Sequence, residues 1–152
     1  MRRHDEIHTL LPIGMARHEI VVTTQGRAFH DLTDSVAPWL ASLSARDGLL
    51  NVFLKHTSAS LTIQENTDPD VQTDLLAALD RLAPEGDYRH RLEGPDDMPA
   101  HIKALLTSVS LSIPIVDGKL ALGRWQAIYL IEHRRQGSDR TVLLQFIGAM
   151  AT

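Results

Sequence analysis

The sequence predicts an α+β domain in which helices pack on a mostly antiparallel sheet, and three observations support this. Its 152 residues suit one domain with a real hydrophobic core. Apolar residues make up 43% and charged residues 22%, which is typical of a globular chain. Strand-like and helix-like segments come in groups instead of alternating regularly, which disfavours a doubly wound parallel sheet. We expect a loosely packed arm over residues 1–14 and a single domain over residues 15–150.

Local patterns predict the first elements. A run of β-branched residues predicts a strand over residues 19–24. An apolar stripe at helical spacing then predicts a helix capped by Thr33 or Asp34 and ending at about residue 45. We expect Gly48 to provide the left-handed cap at its end.

Turn residues and alternation predict the remaining elements. Asp68 and Pro69 predict the start of a helix that runs through residue 82, with Asp68 as its cap. A hairpin turn is predicted at residues 116–118. We expect a further short helix over residues 97–107 and strands over residues 49–56, 59–64, 110–115, 119–122, 124–133 and 141–148.

Composition excludes several classes of function. The formal net charge of -4 gives no global basic field, so we expect no nucleic-acid partner. The absence of cysteine excludes disulfide scaffolds, thiolate zinc sites and cysteine nucleophiles. No apolar run has the length of a membrane span or a signal peptide, so we expect a cytoplasmic protein without membrane contact. The common glycine-rich nucleotide motifs are also missing.

Two short polar blocks are candidate parts of a site. His56, Thr57 and Ser58 lie where one predicted strand ends and the next begins, next to hydroxyls that can orient a ring. A turn in which the hydroxyls bond the local backbone explains them equally well. Glu65 and Asn66 precede a helix N-terminus and are surplus to its capping, so they are also candidates.

The densest polar stretch covers residues 88–101, with two histidines, two arginines and three carboxylates. We expect His101 in the first turn of a helix, where the helix dipole favours the neutral, metal-binding imidazole. Asp96 or Asp97 would cap that helix or support the imidazole. Taken singly, His90 also fits a solvent-exposed residue and His101 a structural one, since no usual metal-ligand spacing occurs.

A fourth block contains Trp125 and Gln126, followed by the charged run at residues 132–134. The tryptophan fits a core or interface position as well as a substrate platform. The side-chain amide of Gln126, at a strand start, could form hydrogen bonds with the edge of a ligand. The charged run fits a structural or intersubunit cluster.

The strings HTSASLTIQENTDPDV, YRHRLEGPDDMPAHIKALL and LGRWQAIYLIEHR closely resemble the YjbQ-like family, also described as secondary thiamine-phosphate synthases. The resemblance covers about residues 16–149. It implies a compact α+β subunit, a homotrimer, and a site near subunit boundaries built from the histidine-containing blocks. It also implies a weak thiamine-phosphate synthase side activity.

The leading hypothesis is metal-assisted or acid–base chemistry on a small phosphorylated molecule. A divalent ion, zinc above all, would be held by His56, His90 and His101. Two alternatives stay open: a metal-free histidine cluster that binds an anion, and a non-catalytic metabolite-binding or assembly protein. The candidate catalytic residues are Glu65, Asn66, Asp96, Asp97 and Gln126, and the candidate substrate-binding residues are Thr57, Ser58, Arg89 and Trp125.

Overall fold

The computed structural model describes residues 12–151, which form eight strands and three helices. In chain order these are β1 (Ile13–Thr23), β2 (Ala28–Asp31), α1 (Thr33–Ser42), β3 (Ala45–Leu54), β4 (Ala59–Glu65), α2 (Pro69–Leu82), α3 (Asp97–Leu106), β5 (Ser110–Val116), β6 (Lys119–Leu120), β7 (Gln126–Glu132) and β8 (Asp139–Met150).

The strands form two sheets. The larger has the order β1-β8-β3-β5-β6 and the smaller the order β2-β7-β4. Every pairing among the described strands is antiparallel. The predicted α+β class with a mostly antiparallel sheet is therefore confirmed. No helix among residues 12–151 has the length and apolar character needed to cross a membrane.

One hydrophobic core joins the inner faces of both sheets and α1. Alternation along β3 sends Leu50, Val52 and Leu54 inward, and the same alternation along β8 sends Leu144 and Phe146 inward. All five side chains are buried in one cluster, which also takes residues from α1, β4, β5 and β7. This core fixes the sheets as a rigid frame for the loops at their ends.

The N-terminal part differs from the prediction. β1 begins at Ile13, six residues before the predicted strand, and Gly14 pairs with Gly148 of β8. The last residues of the predicted arm therefore belong to the sheet, whereas residues 1–11 lie outside the described residues. β2 was not predicted, since Ala28–Asp31 is short and has no clear alternation.

The end of α1 was predicted wrongly. The helix stops at Ser42, and Ser44 takes the left-handed conformation with φ of 51°. Gly48 instead lies inside β3, where a Cβ would sit 2.5 Å from the carbonyl oxygen of Ile147. The glycine is therefore needed for a close approach of two strands, not for a helix cap.

The predicted helix caps are confirmed in one case of three, although α2 and α3 begin at the predicted residues Pro69 and Asp97. Asp68 caps α2 by accepting a hydrogen bond from the backbone N–H of Asp70 at 2.9 Å. α1 begins after Leu32, and its first N–H groups receive no capping side chain from Thr33 or Asp34. At α3 neither of the predicted caps bonds a helix N–H: Asp96 takes the cap position without a side-chain cap bond, and its carboxylate faces the site described next.

Candidate functional site

A cluster of three potential metal ligands lies at the start of α3. Asp97 is the first residue of the helix, and His101 lies one turn later on the same face. His90 reaches them from the preceding loop. One side-chain atom from each of the three residues lies within 4.8 Å of the others.

The buried carboxylate of Asp97 is the centre of this cluster. Its Oδ2 lies 2.6 Å from Nε2 of His90 and 3.3 Å from Nε2 of His101. The Asp97 side chain is 2% exposed, whereas that of His90 is 42% exposed. The cluster thus opens to solvent on the side of His90.

The backbone of the first histidine block fixes the ring of His101. Nδ1 of His101 lies 3.0 Å from the carbonyl oxygen of Thr57. A carbonyl can only accept, so this nitrogen carries the proton and donates it. In the neutral ring Nε2 then keeps its lone pair and faces Asp97, which is the arrangement of a metal-binding imidazole.

Arg134 orients the carboxylates of the cluster. Its Nη1 donates to Oδ1 of Asp97, and its Nη2 donates to the carbonyl oxygen of Glu93 at 2.6 Å. Asp96 accepts from the backbone N–H of Arg135 at 2.8 Å. Burial alone would raise the pKa of Asp96, but this bond and the Arg134 guanidinium hold that pKa below its usual value.

The donor set fits a divalent transition metal. Two imidazoles and one carboxylate are the three protein ligands of several catalytic zinc sites, which keep a further position for water or substrate. Arg134 occupies the other oxygen of Asp97, so a metal would share this carboxylate with a guanidinium. Asp97, predicted as a supporting residue, would therefore be a direct ligand in such a site.

His56 does not join the cluster, contrary to the predicted set of three histidines. Its Nε2 accepts a hydrogen bond from the backbone N–H of Thr141 at 2.8 Å. Burial and the charge of Arg140 lower the pKa of His56, and Glu132 offsets part of this effect. The ring therefore holds the start of β8 against the end of β3.

The fourth block lies away from the cluster within one chain. Glu65 pairs with Gln126 at one end of the β4–β7 ladder, while Ala59 pairs with Glu132 at the end near the histidines. Six residue steps separate the two ends, which corresponds to about 20 Å. The predicted single site is therefore divided in two in the isolated chain.

Contacts at that distant end are local. The backbone N–H of Asn66 donates to the carbonyl oxygen of Trp125 at 3.0 Å. Oε1 of Gln126 accepts from the N–H of Gly123 at 2.7 Å. Trp125 is 53% exposed, and the guanidinium of Arg124 lies 4.9 Å from its ring centroid.

The remaining predicted residues contribute less. Arg89 is exposed, and its side chain makes no hydrogen bond with residues 12–151. Thr57 contributes its carbonyl oxygen, and Ser58 is half-buried. No described contact assigns a substrate to any of the three.

Sequence reasoning missed the role of Arg134 and the buried polar cluster beside it. Glu132 is fully buried and accepts from two guanidinium nitrogens of Arg140, each at 2.7 Å. Burial alone would raise the pKa of Glu132, but Arg140 and neighbouring donors lower it. The charged run at residues 132–134 was the sequence feature that could have indicated this cluster. It was predicted to be either structural or intersubunit, and the contacts of Glu132 within the chain are structural.

The described chain matches known proteins along most of its length. Residues 18–149 match the model of the family described as "UPF0047 protein YjbQ-like". The chain belongs to the YjbQ family. UPF0047 protein sll1880 of Synechocystis sp. is 47% identical over 131 residues, which cover 85% of this chain and 89% of that protein. UPF0047 protein YjbQ of Escherichia coli O157:H7 is 40% identical over 131 residues, covering 85% of this chain and 95% of that protein.

Solved structures of YjbQ proteins have the same fold. A crystal structure from Clostridium acetobutylicum superposes with a TM-score of 0.79 at 41% identity and covers 85% of this chain and 98% of that one. A protein of Sulfolobus solfataricus has a TM-score of 0.83 at 23% identity, covers 90% of this chain and 99% of that one, and supports the fold alone. They are described as uncharacterized and as of unknown function respectively. The predicted family and single-domain fold are confirmed by these matches.

Proposed function

We propose that this YjbQ protein is an enzyme that uses a divalent metal, with zinc the best fit, to act on a small phosphorylated molecule. The supporting observation is that ligand atoms of His90, Asp97 and His101 lie within 4.8 Å of one another. When bound, such an ion polarises a phosphoryl oxygen or activates water.

The chain's own residues prepare this site. The Thr57 carbonyl fixes the tautomer of His101, and Arg134 fixes the orientation of Asp97. Such supporting contacts strengthen metal sites, because a ligand that is already oriented loses less freedom on binding. Arg89 precedes His90 in the exposed loop, and it is the proposed partner of a substrate phosphate.

Thiamine-phosphate synthesis, which the resemblance implies, is one candidate reaction. A thiazole nitrogen displaces pyrophosphate from a pyrimidine, and the protein must neutralise the leaving group more than it must supply a nucleophile. Arg89 and a cation at the histidine cluster suit that need. The reaction belongs in a test panel alongside other small phosphate compounds.

Metal content tests the proposal directly. Untagged protein is purified without chelator, and bound metals are measured by mass spectrometry for wild type, His101→Ala and His18→Ala. We expect about one equivalent per chain in wild type and its loss in His101→Ala. His18 lies in β1, where its ring stacks on Trp39 of α1. The His18→Ala variant is the matched control and is expected to retain the metal. Less than about a tenth of an equivalent in wild type, with no heat on zinc titration, overturns the metal proposal.

A metal-free function is the second candidate. The bond between His90 and Asp97 at 2.6 Å, completed by Arg134, is a closed network that needs no ion. Such a network suits acid–base chemistry or anion binding. Turnover of a phosphate compound that persists in excess chelator favours acid–base catalysis. Metabolite binding without turnover favours the non-catalytic alternative.

We also propose that the protein is a homotrimer with its site at a subunit boundary. The separation of about 20 Å along the β4–β7 ladder supports this. Gln126 and Glu65 are too far from the histidine cluster of their own chain to act with it. A neighbouring subunit that brings its own copy of that end would unite the two halves.

A further inference from the structure

A cavity lies against α3 on the side away from His101. Its larger lobe has a volume of about 280 Å³ and an adjoining lobe about 170 Å³. Arg27, Asp80, Lys103 and His133 line both lobes. None of these four residues belongs to the proposed metal cluster.

Helix geometry separates the two sites. Asp97 and His101 form one stripe of α3, while Pro99 and Lys103 form another that faces the cavity. The stripes are offset by two residues, which is about 200° around a helix. The cavity therefore lies on a different face of α3 from the histidine cluster, and the two adjoin at Asp96.

Lys103 is a buried cation with too few acceptors. Its side chain is 4% exposed, and its one partner among the described residues is Oδ1 of Asp80. Arg27 donates to the same oxygen at 2.8 Å. Two cations thus share a single carboxylate oxygen. An ammonium has three N–H groups, and leaving buried donors without acceptors is unfavourable.

The other walls of the cavity carry further charges: Glu132 lines the smaller lobe, and Glu85 and Asp96 line the larger one. Each of these carboxylates is already paired with an arginine, namely Arg140, Arg135 and Arg134 respectively.

Apart from these paired groups, the walls supply a neutral imidazole and an apolar surface. Nε2 of His133 is bonded to Oγ of Ser60 at 2.8 Å, and Nδ1 has no partner within residues 12–151. Burial, reinforced by the charge of Lys103, lowers the pKa of His133 to about 4, so its ring is neutral at pH 7. Leu76 and Leu79 line the smaller lobe.

We propose that this cavity binds a small molecule through an oxyanion, a phosphate or a carboxylate, held by Lys103 and Arg27. The apolar part of the molecule contacts Leu76 and Leu79 in the adjoining lobe. Without ligand, Asp80 pairs with both Lys103 and Arg27, and the oxyanion of the ligand replaces Asp80 as their partner. This site goes beyond the proposed enzymatic function and does not depend on it.

Calorimetric titration of the full, untagged chain tests the site with three probes: inorganic phosphate, phenyl phosphate and phenylacetate. Phenyl phosphate binding tighter than phosphate shows the contribution of the apolar lobe, and phenylacetate distinguishes a carboxylate ligand from a phosphate. Lys103→Met is expected to weaken binding of the tightest probe at least about tenfold. Lys55→Met, an exposed lysine paired with Glu19, is the matched control and leaves affinity unchanged.

Asp80→Asn gives the sharpest result, because loss of the competing carboxylate frees both cations and tightens binding by about tenfold. Should Lys103→Met fail to fold, Arg27→Gln replaces it and must weaken binding. His101→Ala leaves the affinity unchanged while it removes metal, which separates this site from the proposed metal centre. The proposal is overturned when no probe binds wild type, when Asp80→Asn and Arg27→Gln both leave affinity unchanged, or when His101→Ala abolishes binding.

Discussion

Two histidines of this chain owe their protonation to their immediate surroundings. The Thr57 carbonyl holds a proton on Nδ1 of His101 and so leaves Nε2 directed at Asp97. His133 is almost fully buried beside Lys103, so its ring takes up a proton only at low pH. The first contact prepares a ligand, and the second makes folding sensitive to pH.

The free energy of unfolding is expected to decrease as the pH is lowered, because of His133. Its pKa is about 4 in the folded chain, against 6.5 ordinarily, so between these values the unfolded chain binds a proton that the folded chain does not. This group's contribution is fully present above pH 6.5 and is lost as pH falls toward 4, an effect of up to about 3 kcal/mol. Urea unfolding measured from pH 4 to pH 8 gives the slope of the unfolding free energy against pH.

His133→Gln is expected to flatten this slope, and Ser60→Ala, which removes the hydrogen-bond partner but keeps the imidazole, is expected to retain it. His30 and His56, whose pKa values burial also lowers, contribute to the remaining slope, and Glu132, whose pKa burial alone would raise but Arg140 lowers, adds to it near pH 4. An unchanged slope in His133→Gln would show that another group dominates the acid side.

The sequence predicts site residues when they are close along the chain. His90, Asp97 and His101 stand within twelve positions, and a loop followed by a helix turn is enough to bring them together. His56 was assigned to the same site because spacing carries no distances between separate elements. Its bond to Thr141 depends on the pairing of β3 with β8, which no local pattern reveals.

Secondary-structure elements show the same division between local and distant causes. The start of α2 was predictable from local sequence. Asp68 accepts a hydrogen bond from the N–H of Asp70, and Pro69 occupies the first position of the helix. Gly48 was assigned to a helix end because glycine is common there, but its position is set by the opposing strand β8. β2 needed its partner β7 to be recognised as a strand.

The pairing of β3 with β8 is expected to depend on Gly48. A Cβ at this position would lie 2.5 Å from the Ile147 carbonyl oxygen and 2.7 Å from Cα of Gly148. Gly48→Ala should therefore destabilise the fold by about 1–3 kcal/mol through overpacking. Gly86→Ala is the matched control, since the nearest atom to its added Cβ lies 3.7 Å away. Chemical denaturation of both variants measures the difference, and equal stabilities would refute the close-approach explanation.

At the scale of the whole molecule, the inner and outer faces of the two sheets have different surroundings. The inner faces form the common core, and the histidine cluster lies next to the start of β4, where α3 begins. The outer face of the five-stranded sheet is different, because exposed apolar residues line up across it. Met15, Ile147 and Leu49 are opposite one another on β1, β8 and β3 and are 54%, 45% and 47% exposed.

This apolar row gives the proposed trimer a specific prediction. Apolar residues aligned across a sheet lose unfavourable contact with water when a second copy covers them. We expect light scattering after size exclusion to give three times the chain mass of 16.9 kDa. Ile147→Arg places a charge in the middle of the row and should shift the mass toward that of one chain.

Leu82→Arg is the control for that experiment, because Leu82 is 68% exposed at the end of α2 and lies neither on the sheet nor in the loop of the histidine cluster. It should leave the mass unchanged. A wild-type mass equal to one chain would overturn the trimer itself. A trimer that withstands Ile147→Arg would instead place the subunit contact on another surface, and the Glu65–Gln126 end of the β4–β7 ladder would be the next to test by substitution.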